Sequence, residues 1–122
     1  MKKNVLITGG SGFIGSHVVD TLVKNKYKVT ILDLNQPKRK DVKFIKGSIL
    51  DKSRVQFALK NINIIFHLAA VSDINKVQNI PKKTIETNIL GTTYLLEESR
   101  KINIKRFIFA SSVYSYGSAG NL

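Results

Sequence analysis

Short apolar runs alternate along this chain with segments whose apolar residues recur at helical spacing. Five of the runs have the length of β-strands and cover residues 5–7, 28–32, 42–46, 64–70 and 106–111. The fourth run is apolar on both faces, as a strand in the middle of a parallel sheet must be. Because the runs are separated by helical patterns, the sequence predicts an α/β fold with a parallel sheet.

Helices are predicted between these strands. The first has an apolar stripe of Phe13, Ile14, Val18, Val19, Leu22 and Val23. Asp51 can cap a second helix that runs to about Leu59, and residues 72–79 suit a short third one. Pro81 suits the first turn of a long helix to about Lys101. Its predicted buried stripe holds Ile85, Ile89 and Leu96.

A turn rich in glycine joins the first strand to the first helix. Gly10, Gly12 and Gly15 form a G-x-G-x-x-G pattern, and Gly9 adds a second, overlapping spacing. Such a turn lets a pyrophosphate approach bare backbone, while the start of the helix offers free amides to the anion. Asp33 follows at the end of the second strand, where an acid can accept hydrogen bonds from a ribose. Strand, glycines, helix and acid together predict a dinucleotide site.

This site and the alternation of elements predict a Rossmann-type domain over residues 1–122. We expect helices on both faces and the strand order 3-2-1-4-5, with the chain ending before the later strands of such folds.

Composition narrows the function classes. The sequence has no cysteine, which excludes a disulfide framework and a thiolate metal site. No apolar run approaches the ~20 residues of a membrane span, and residues 1–3 lead directly into a strand without a signal peptide. We therefore expect a cytoplasmic protein with no membrane partner and no metal.

The formal net charge of +12 raises the possibility of a nucleic-acid partner. The lysines are scattered, however, and the densest basic cluster, residues 38–40, lies in a loop just after Asp33. We therefore expect a solvated basic surface and no nucleic acid, although a positive field would also favour a nucleotide ligand.

Four segments resemble the extended short-chain dehydrogenase/reductase family, in particular its NAD-dependent sugar-nucleotide epimerases and dehydratases. They cover residues 8–16, 67–70, 88–92 and 111–117, in the order and spacing of that family across essentially the whole chain. The resemblance implies NAD as the cofactor and a nucleotide sugar as the substrate.

The resemblance also implies roles for individual residues. Around the glycines Gly9, Gly12 and Gly15, the amides of Phe13 and Ile14 would bind the pyrophosphate. Asp33, with Asn35 beside it, would hold the adenosine ribose and disfavour the 2′-phosphate of NADP, a preference that Lys38 and Arg39 could soften. The remaining cofactor-binding residues would be Ser48, Ile49, Leu68, Ala69, Ala70, Asn88 and Ser111, and the catalytic hydroxyl would be Ser112.

Residues 68–70 would form a wall of small side chains along the cofactor, and Asn88 would stabilise a bend of the chain beside it. Structural alternatives stay open for several of these positions. Asn88 could be a helix-surface amide, and Ser111 and Ser112 could merely end a strand. We expect His67 to be a buried, hydrogen-bonded core residue and His17 to serve packing. Tyr114 and Tyr116 could be loop aromatics, and Tyr114 does not take the place of the family's catalytic tyrosine.

Two departures from the family pattern are visible. Ser48 stands where the family often has an acid that meets the adenine amine, which predicts weaker adenine binding. The family's general acid/base is a tyrosine in Tyr-x-x-x-Lys, and no tyrosine here is followed four residues later by lysine. We therefore expect no turnover from this chain alone, and expect it to be the N-terminal part of a longer, homodimeric enzyme.

Two other functions are compatible with the sequence. One is an NADP-dependent reductase of the same superfamily, against which Asp33 argues. The other is a non-catalytic NAD-binding or sensing module, which the missing base would permit.

Overall fold

Five parallel strands form one sheet in the order β3-β2-β1-β4-β5, as predicted. The computed structural model describes residues 3–117. The predictions for residues 1–2 and for the chain end at 121–122 lie outside this range. The strands are β1 (Asn4–Thr8), β2 (Lys28–Asp33), β3 (Lys43–Lys46), β4 (Ile64–His67) and β5 (Arg106–Phe109). Because β1 pairs with both β2 and β4, it occupies the centre of the sheet.

Helices cover both faces of this sheet. They are α1 (Phe13–Lys24), α2 (Lys52–Ala58), α3 (Ile74–Asn79), α4 (Pro81–Ile85), a π-helical segment (Glu86–Gly91), α5 (Thr92–Lys101) and a 3₁₀ turn (Val113–Tyr116). The side chains of β1 alternate between two cores. Val5 and Ile7 pack with Val19 of α1 on one face, and Leu6 packs with Val55 of α2 and Leu95 of α5 on the other. The sheet is therefore buried on both sides, as a parallel sheet requires.

Strands β4 and β5 are shorter than their apolar runs. The run over 64–70 was predicted to be one strand, but β4 ends at His67 because the chain turns away there. The amide of Ala69 donates to the side chain of Thr8, 3.3 Å away, instead of continuing a backbone ladder. Strand β5 likewise ends at Phe109, so Ser111 lies beyond it.

The predicted long helix from Pro81 is divided, and its predicted buried stripe is wrong. Ile85, Ile89 and Leu96 are 55%, 58% and 47% exposed. The less exposed positions Thr84, Asn88 and Leu95 each precede one of these residues, so the side that packs on the sheet is offset by one position both before and after the π-helical segment. The core-facing positions are instead Gly91, Leu95, Glu98 and Ser99.

Within residues 3–117, no helix combines the length and the apolar character that a membrane crossing needs.

Candidate dinucleotide-binding site

The glycine turn at the carboxyl end of β1 is packed so closely that two of its positions admit no side chain. Gly9 has a φ of +74°, and a Cβ there would lie 2.7 Å from the backbone nitrogen of Ala69. A Cβ on Gly15 would lie 2.1 Å from the carbonyl oxygen of Gly9. These contacts hold helix α1 close to its strand and seat the turn against the chain that follows β4.

The amino terminus of α1 is open to an anion. Gly12 is the N-cap residue, and no side chain of the described residues caps this end. The first amides of a helix have no partner within it, so those of Phe13 and Ile14 are available to a ligand. Their side chains are 85% and 65% exposed, so this end of the helix lies at the surface, where a ligand can reach the two amides. The twelve-residue helix adds the favourable end of its dipole.

Asp33 ties the end of β2 to the glycine turn. Its Oδ2 accepts a hydrogen bond from the amide of Ser11 at 3.0 Å, and its Oδ1 accepts one from the amide of Asn35 at 2.9 Å. The hydroxyl of Ser11 donates to the carbonyl oxygen of Asn35 at 2.6 Å. Each carboxylate oxygen retains acceptor capacity for a ribose hydroxyl. The bond between Asp33 and Ser11 could not be predicted from the sequence, because the two residues are 22 positions apart and meet only in the folded chain.

Ser48 and Ile49 follow β3 at the same edge of the sheet. The Oγ of Ser48 accepts a hydrogen bond from the amide of Leu50 at 3.1 Å, so part of its acceptor capacity is already used. The side chain of Ile49 is buried, and its Cδ1 packs against Gly91 in the π-helical segment. Any contact of Ile49 with a cofactor would therefore involve its backbone, and both residues remain predicted cofactor contacts.

A cleft of about 840 Å³ opens at the carboxyl ends of β4 and β5. It brings together six of the predicted site residues: Leu68, Ala69, Ala70, Asn88, Ser111 and Ser112. Tyr114 also borders this cleft, and both Tyr114 and Tyr116 are exposed loop aromatics.

Asn88 fastens the chain beside the cleft. Its Oδ1 accepts a hydrogen bond from the amide of Val71 at 2.8 Å, and its Nδ2 donates to the carbonyl oxygen of Val71 at 2.9 Å. The side chain thus replaces the backbone partner that Val71 lacks beyond the end of β4. The resemblance implied that Asn88 stabilises a bend, and these two bonds hold the backbone of Val71 to the π-helical segment. Its contact with a cofactor remains a prediction.

Ser112 caps the 3₁₀ turn that follows β5. Its Oγ accepts a hydrogen bond from the amide of Tyr114 at 3.2 Å, and its carbonyl oxygen accepts one from the hydroxyl of Ser115 at 2.6 Å. Because the Oγ acts as an acceptor in the cap, its own proton remains available to a group in the cleft. Ser111 and Ser112 are both exposed there.

His67 is a buried core residue, as predicted. Its ring lies between two threonine hydroxyls, with Nδ1 2.6 Å from the Oγ1 of Thr8 and Nε2 2.8 Å from the Oγ1 of Thr92. Burial lowers the pKa of the imidazole to about 4, so the ring is neutral at pH 7. His17, by contrast, is exposed on α1, and its ring contacts that of Phe13 edge-on at 5.5 Å. Sequence reasoning assigned no role to Thr8 or Thr92.

Comparison with known proteins agrees with this architecture. Residues 5–121 match the NAD dependent epimerase/dehydratase family. A dTDP-D-glucose 4,6-dehydratase from Dictyostelium discoideum is 38% identical over 131 residues, which cover 95% of this chain and 30% of that protein. The crystal structure of the Thermus thermophilus UDP-glucose 4-epimerase in complex with NAD is similar with a TM-score of 0.82 and 35% identity, covering 89% of this chain and 37% of that one.

A second similar structure is that of MoeE5 in complex with UDP-glucose and NAD. It has a TM-score of 0.88 and 32% identity, and the match covers 96% of this chain and 39% of that one. The chain thus spans between 30% and 40% of the length of the curated relatives that it matches. With the family match over residues 5–121 and these likenesses at 32–38% identity, the chain belongs to the NAD dependent epimerase/dehydratase family.

Proposed function

We propose that this chain is the NAD-binding portion of an enzyme that epimerises or dehydrates a nucleotide sugar. The observation that carries the proposal is the glycine turn, where Gly15 lies against the carbonyl of Gly9 and the uncapped end of α1 remains open. The close packing at these glycines sets the start of α1 against the end of β1, where its free amides can meet a diphosphate, so the residues present fit the cofactor.

Each part of the cofactor has a candidate partner in the chain. The amides of Phe13 and Ile14 would bind the diphosphate, and Asp33 would accept hydrogen bonds from the adenosine ribose. Residues 68–70 would lie along the rest of the molecule because their small side chains leave room for it. When bound, NAD supplies the acceptor for a hydride taken from the sugar.

The charge at the ribose position favours NAD over NADP. The carboxylate of Asp33 would repel a 2′-phosphate, and the guanidinium of Arg39 is already engaged. Arg39 donates to Asp20 at 2.8 Å and, through Nε, to Asp41 at 2.8 Å. The two carboxylates offset the positive charge of this arginine, so it attracts a phosphate weakly. Lys38 and Lys40 are the exposed cations of this loop.

Ser112 is the proposed contact with the substrate. Its hydroxyl proton is free of the cap that its oxygen forms, so it can donate to a sugar oxygen in the cleft. Both similar structures contain NAD, and one also holds UDP-glucose, which supports a nucleotide sugar as the substrate class.

Calorimetric titration of the 122-residue chain tests the cofactor assignment. We expect NAD and ADP-ribose to bind with similar affinity, since the contacts identified here serve the shared part of the two molecules, and NADP to bind more weakly than either. Gly15→Ala should abolish binding, because its Cβ would collide with backbone. Gly47→Ala is the comparison variant, since its Cβ would lie 2.8 Å from the Cγ of Arg54, a side-chain atom that can shift, whereas the Cβ of Gly15→Ala would meet backbone.

Circular dichroism of both variants separates loss of binding from loss of folding. Tightest binding of NADP would show that the interpretation of Asp33 is wrong. Absence of binding by all three ligands at millimolar concentration would refute the proposed function for this chain.

A further inference from the structure

A chain of hydrogen bonds begins at Ala69 and passes through the core. The amide of Ala69 donates to the Oγ1 of Thr8 at 3.3 Å. The Oγ1 of Thr8 lies 2.6 Å from the Nδ1 of His67, and the Nε2 of His67 lies 2.8 Å from the Oγ1 of Thr92. These three side chains come from β1, β4 and α5, so the chain of bonds crosses from the centre of the sheet to the helical layer.

From Thr92 the hydrogen bonds continue to Asn88 and then to Val71, which is two residues from the starting point at Ala69. The hydroxyl of Thr92 donates to the carbonyl oxygen of Asn88 at 2.7 Å. The side chain of Asn88 in turn exchanges two hydrogen bonds with the backbone of Val71. Ala69 and Val71 are joined through Ala70, so the hydrogen bonds and this piece of backbone together form a closed ring. The ring includes Ala69 and Ala70 of the wall of small residues at 68–70. We name this ring by its side chains, the Thr8–His67–Thr92–Asn88 ring.

The donors in the ring can be assigned without ambiguity. The Oγ1 of Thr92 donates its proton to the carbonyl of Asn88, so it can only accept from His67, and the Nε2 of His67 must carry a proton. Since the imidazole is neutral, its Nδ1 is then an acceptor, and the hydroxyl of Thr8 donates to it. Thr8 accepts in turn from the amide of Ala69, so every hydroxyl in the ring both donates and accepts.

We propose that His67 is a positioning residue, fixed as the Nε2–H tautomer, which couples the π-helical segment to the wall of the cofactor cleft. Without its bridge, Thr92 and Asn88 lose their tie to β1 and β4, and the backbone from Ala69 to Val71 loses its fixed distance from the sheet. The functional consequence for the cofactor rests on the proposed function, whereas the coupling itself is a property of the fold.

The first test removes one hydroxyl from the ring. Thr92→Val keeps the shape of the side chain and deletes both bonds of its Oγ1. Thr93→Val is the matched control, because Thr93 makes the same type of bond to the carbonyl of Ile89, at 2.9 Å, on the exposed side of the helix. We expect amide hydrogen exchange at Val71 to accelerate about tenfold in Thr92→Val and to stay unchanged in Thr93→Val.

Thr92→Ser restores the hydroxyl and should restore slow exchange. The proposal is overturned if exchange at Val71 is the same in Thr92→Val and Thr93→Val.

The second test examines the imidazole itself. In nitrogen-15 NMR spectra at pH 7, the Nε2 of His67 should carry the bound proton and Nδ1 should carry none. Among substitutions, His67→Gln can place a donor near the Nε2 position, whereas the shorter side chain of His67→Asn can keep an acceptor near Nδ1 but cannot reach Thr92. We expect His67→Asn to behave like Thr92→Val at Val71 and His67→Gln to be milder. A proton on Nδ1, or an unchanged Val71 in His67→Asn, would contradict the assignment.

The third test reaches the cofactor. NAD should bind Thr92→Val about tenfold more weakly than the unmodified chain, while ADP, which ends before the wall, should bind both equally. Equal weakening of ADP and NAD would overturn the coupling to the wall. If the unmodified chain binds neither nucleotide, the proposed function fails, and exchange at Val71 still decides whether the ring positions the wall.

Discussion

The carboxylate of Asp33 accepts a hydrogen bond from the amide of Ser11, with 3.0 Å between Oδ2 and the nitrogen. The residue expected to bind the ribose therefore also holds the glycine turn in place. A substitution at Asp33 is therefore expected to affect both the proposed ribose contact and the position of the glycine turn.

We predict that Asp33→Asn lowers NAD affinity about tenfold and narrows the difference between NAD and NADP. The amide oxygen of asparagine can keep one backbone bond, but the charge that repels a 2′-phosphate is lost, and hydrogen bonds to charged groups are worth ~1.5–3 kcal/mol. Calorimetry with both cofactors measures the change. Asp51→Asn, which alters only the cap of α2, serves as the control. A preserved preference for NAD over NADP would count against the charge argument.

Removing the guanidinium of Arg39 should leave NADP affinity unchanged. Arg39 is held by Asp20 and Asp41, so Arg39→Ala deletes a surface ion-pair cluster and no phosphate ligand. Lys38→Ala, whose ammonium group is exposed in the same loop, is the comparison variant. A loss of NADP binding in Arg39→Ala alone would show that Arg39 leaves its carboxylates for the ligand.

The free energy of unfolding should fall as the pH is lowered from about 6.5 to about 4, in part because of His67. Burial depresses the pKa of this histidine from 6.5 to about 4, so in this window the unfolded chain binds a proton that the folded chain does not. The groups that face the imidazole are the hydroxyls of Thr8 and Thr92 and the rings of Phe107 and Phe109. The contribution of His67 is at most about 3 kcal/mol.

Urea denaturation at several pH values measures this slope, and His67→Gln should flatten it. The carboxylates titrate in both proteins, so the difference between the two curves isolates the histidine. Parallel curves for the two proteins would show that His67 does not contribute.

Glu98 should stabilise the fold at neutral pH more than its neighbour Glu97. Its buried carboxylate accepts from Lys101 at 2.6 Å and from Gln56 at 3.1 Å, and these bonds lower its pKa. Because the folded pKa lies below the unfolded one, this stabilisation is present above the unfolded value of 4.5 and is lost as the pH falls through the folded value.

Thermal unfolding at pH 7 should therefore show a lower midpoint for Glu98→Gln. Glu97→Gln, on the exposed face, should change stability by no more than ~0.5 kcal/mol. At a pH low enough to protonate Glu98, the midpoint of Glu98→Gln should approach that of the unmodified chain. If the midpoint of Glu98→Gln stays lower than that of the unmodified chain at this pH, the loss of stability comes from packing and not from the charge.

The chain should self-associate through the apolar side chains that the structure leaves exposed. Ile85, Ile89 and Phe109 are each between 55% and 58% exposed, whereas Phe107 packs partly against the core. Exposed apolar patches promote association. Light scattering over a range of concentrations should show growth in mass that the double variant Ile85→Glu with Ile89→Glu reduces. A monomer at every concentration would refute this prediction.

The features that the sequence predicts well are local ones. The spacing of Gly9 to Gly15 and the acid at position 33 define the turn and its acidic neighbour within about 25 residues, and this turn together with the alternating apolar runs predicts the strand order. The Thr8–His67–Thr92–Asn88 ring has no such signal, because its members come together only when distant segments pack. The stripe with Ile89 was wrong because the buried side of this segment carries small and polar residues such as Asn88, Gly91 and Ser99, which a search for apolar spacing does not mark.

The position of β1 at the centre of the sheet also has a consequence for synthesis. Thr8 is synthesised before its partner His67, which is added 59 residues later. At a translation rate of ~5–20 residues per second, one edge of β1 waits for roughly 3–12 s before β4 can pair with it. During that interval an apolar strand edge is open to other nascent chains. Delays in translating the segment before residue 67 should therefore lower the yield of folded protein without changing its final stability.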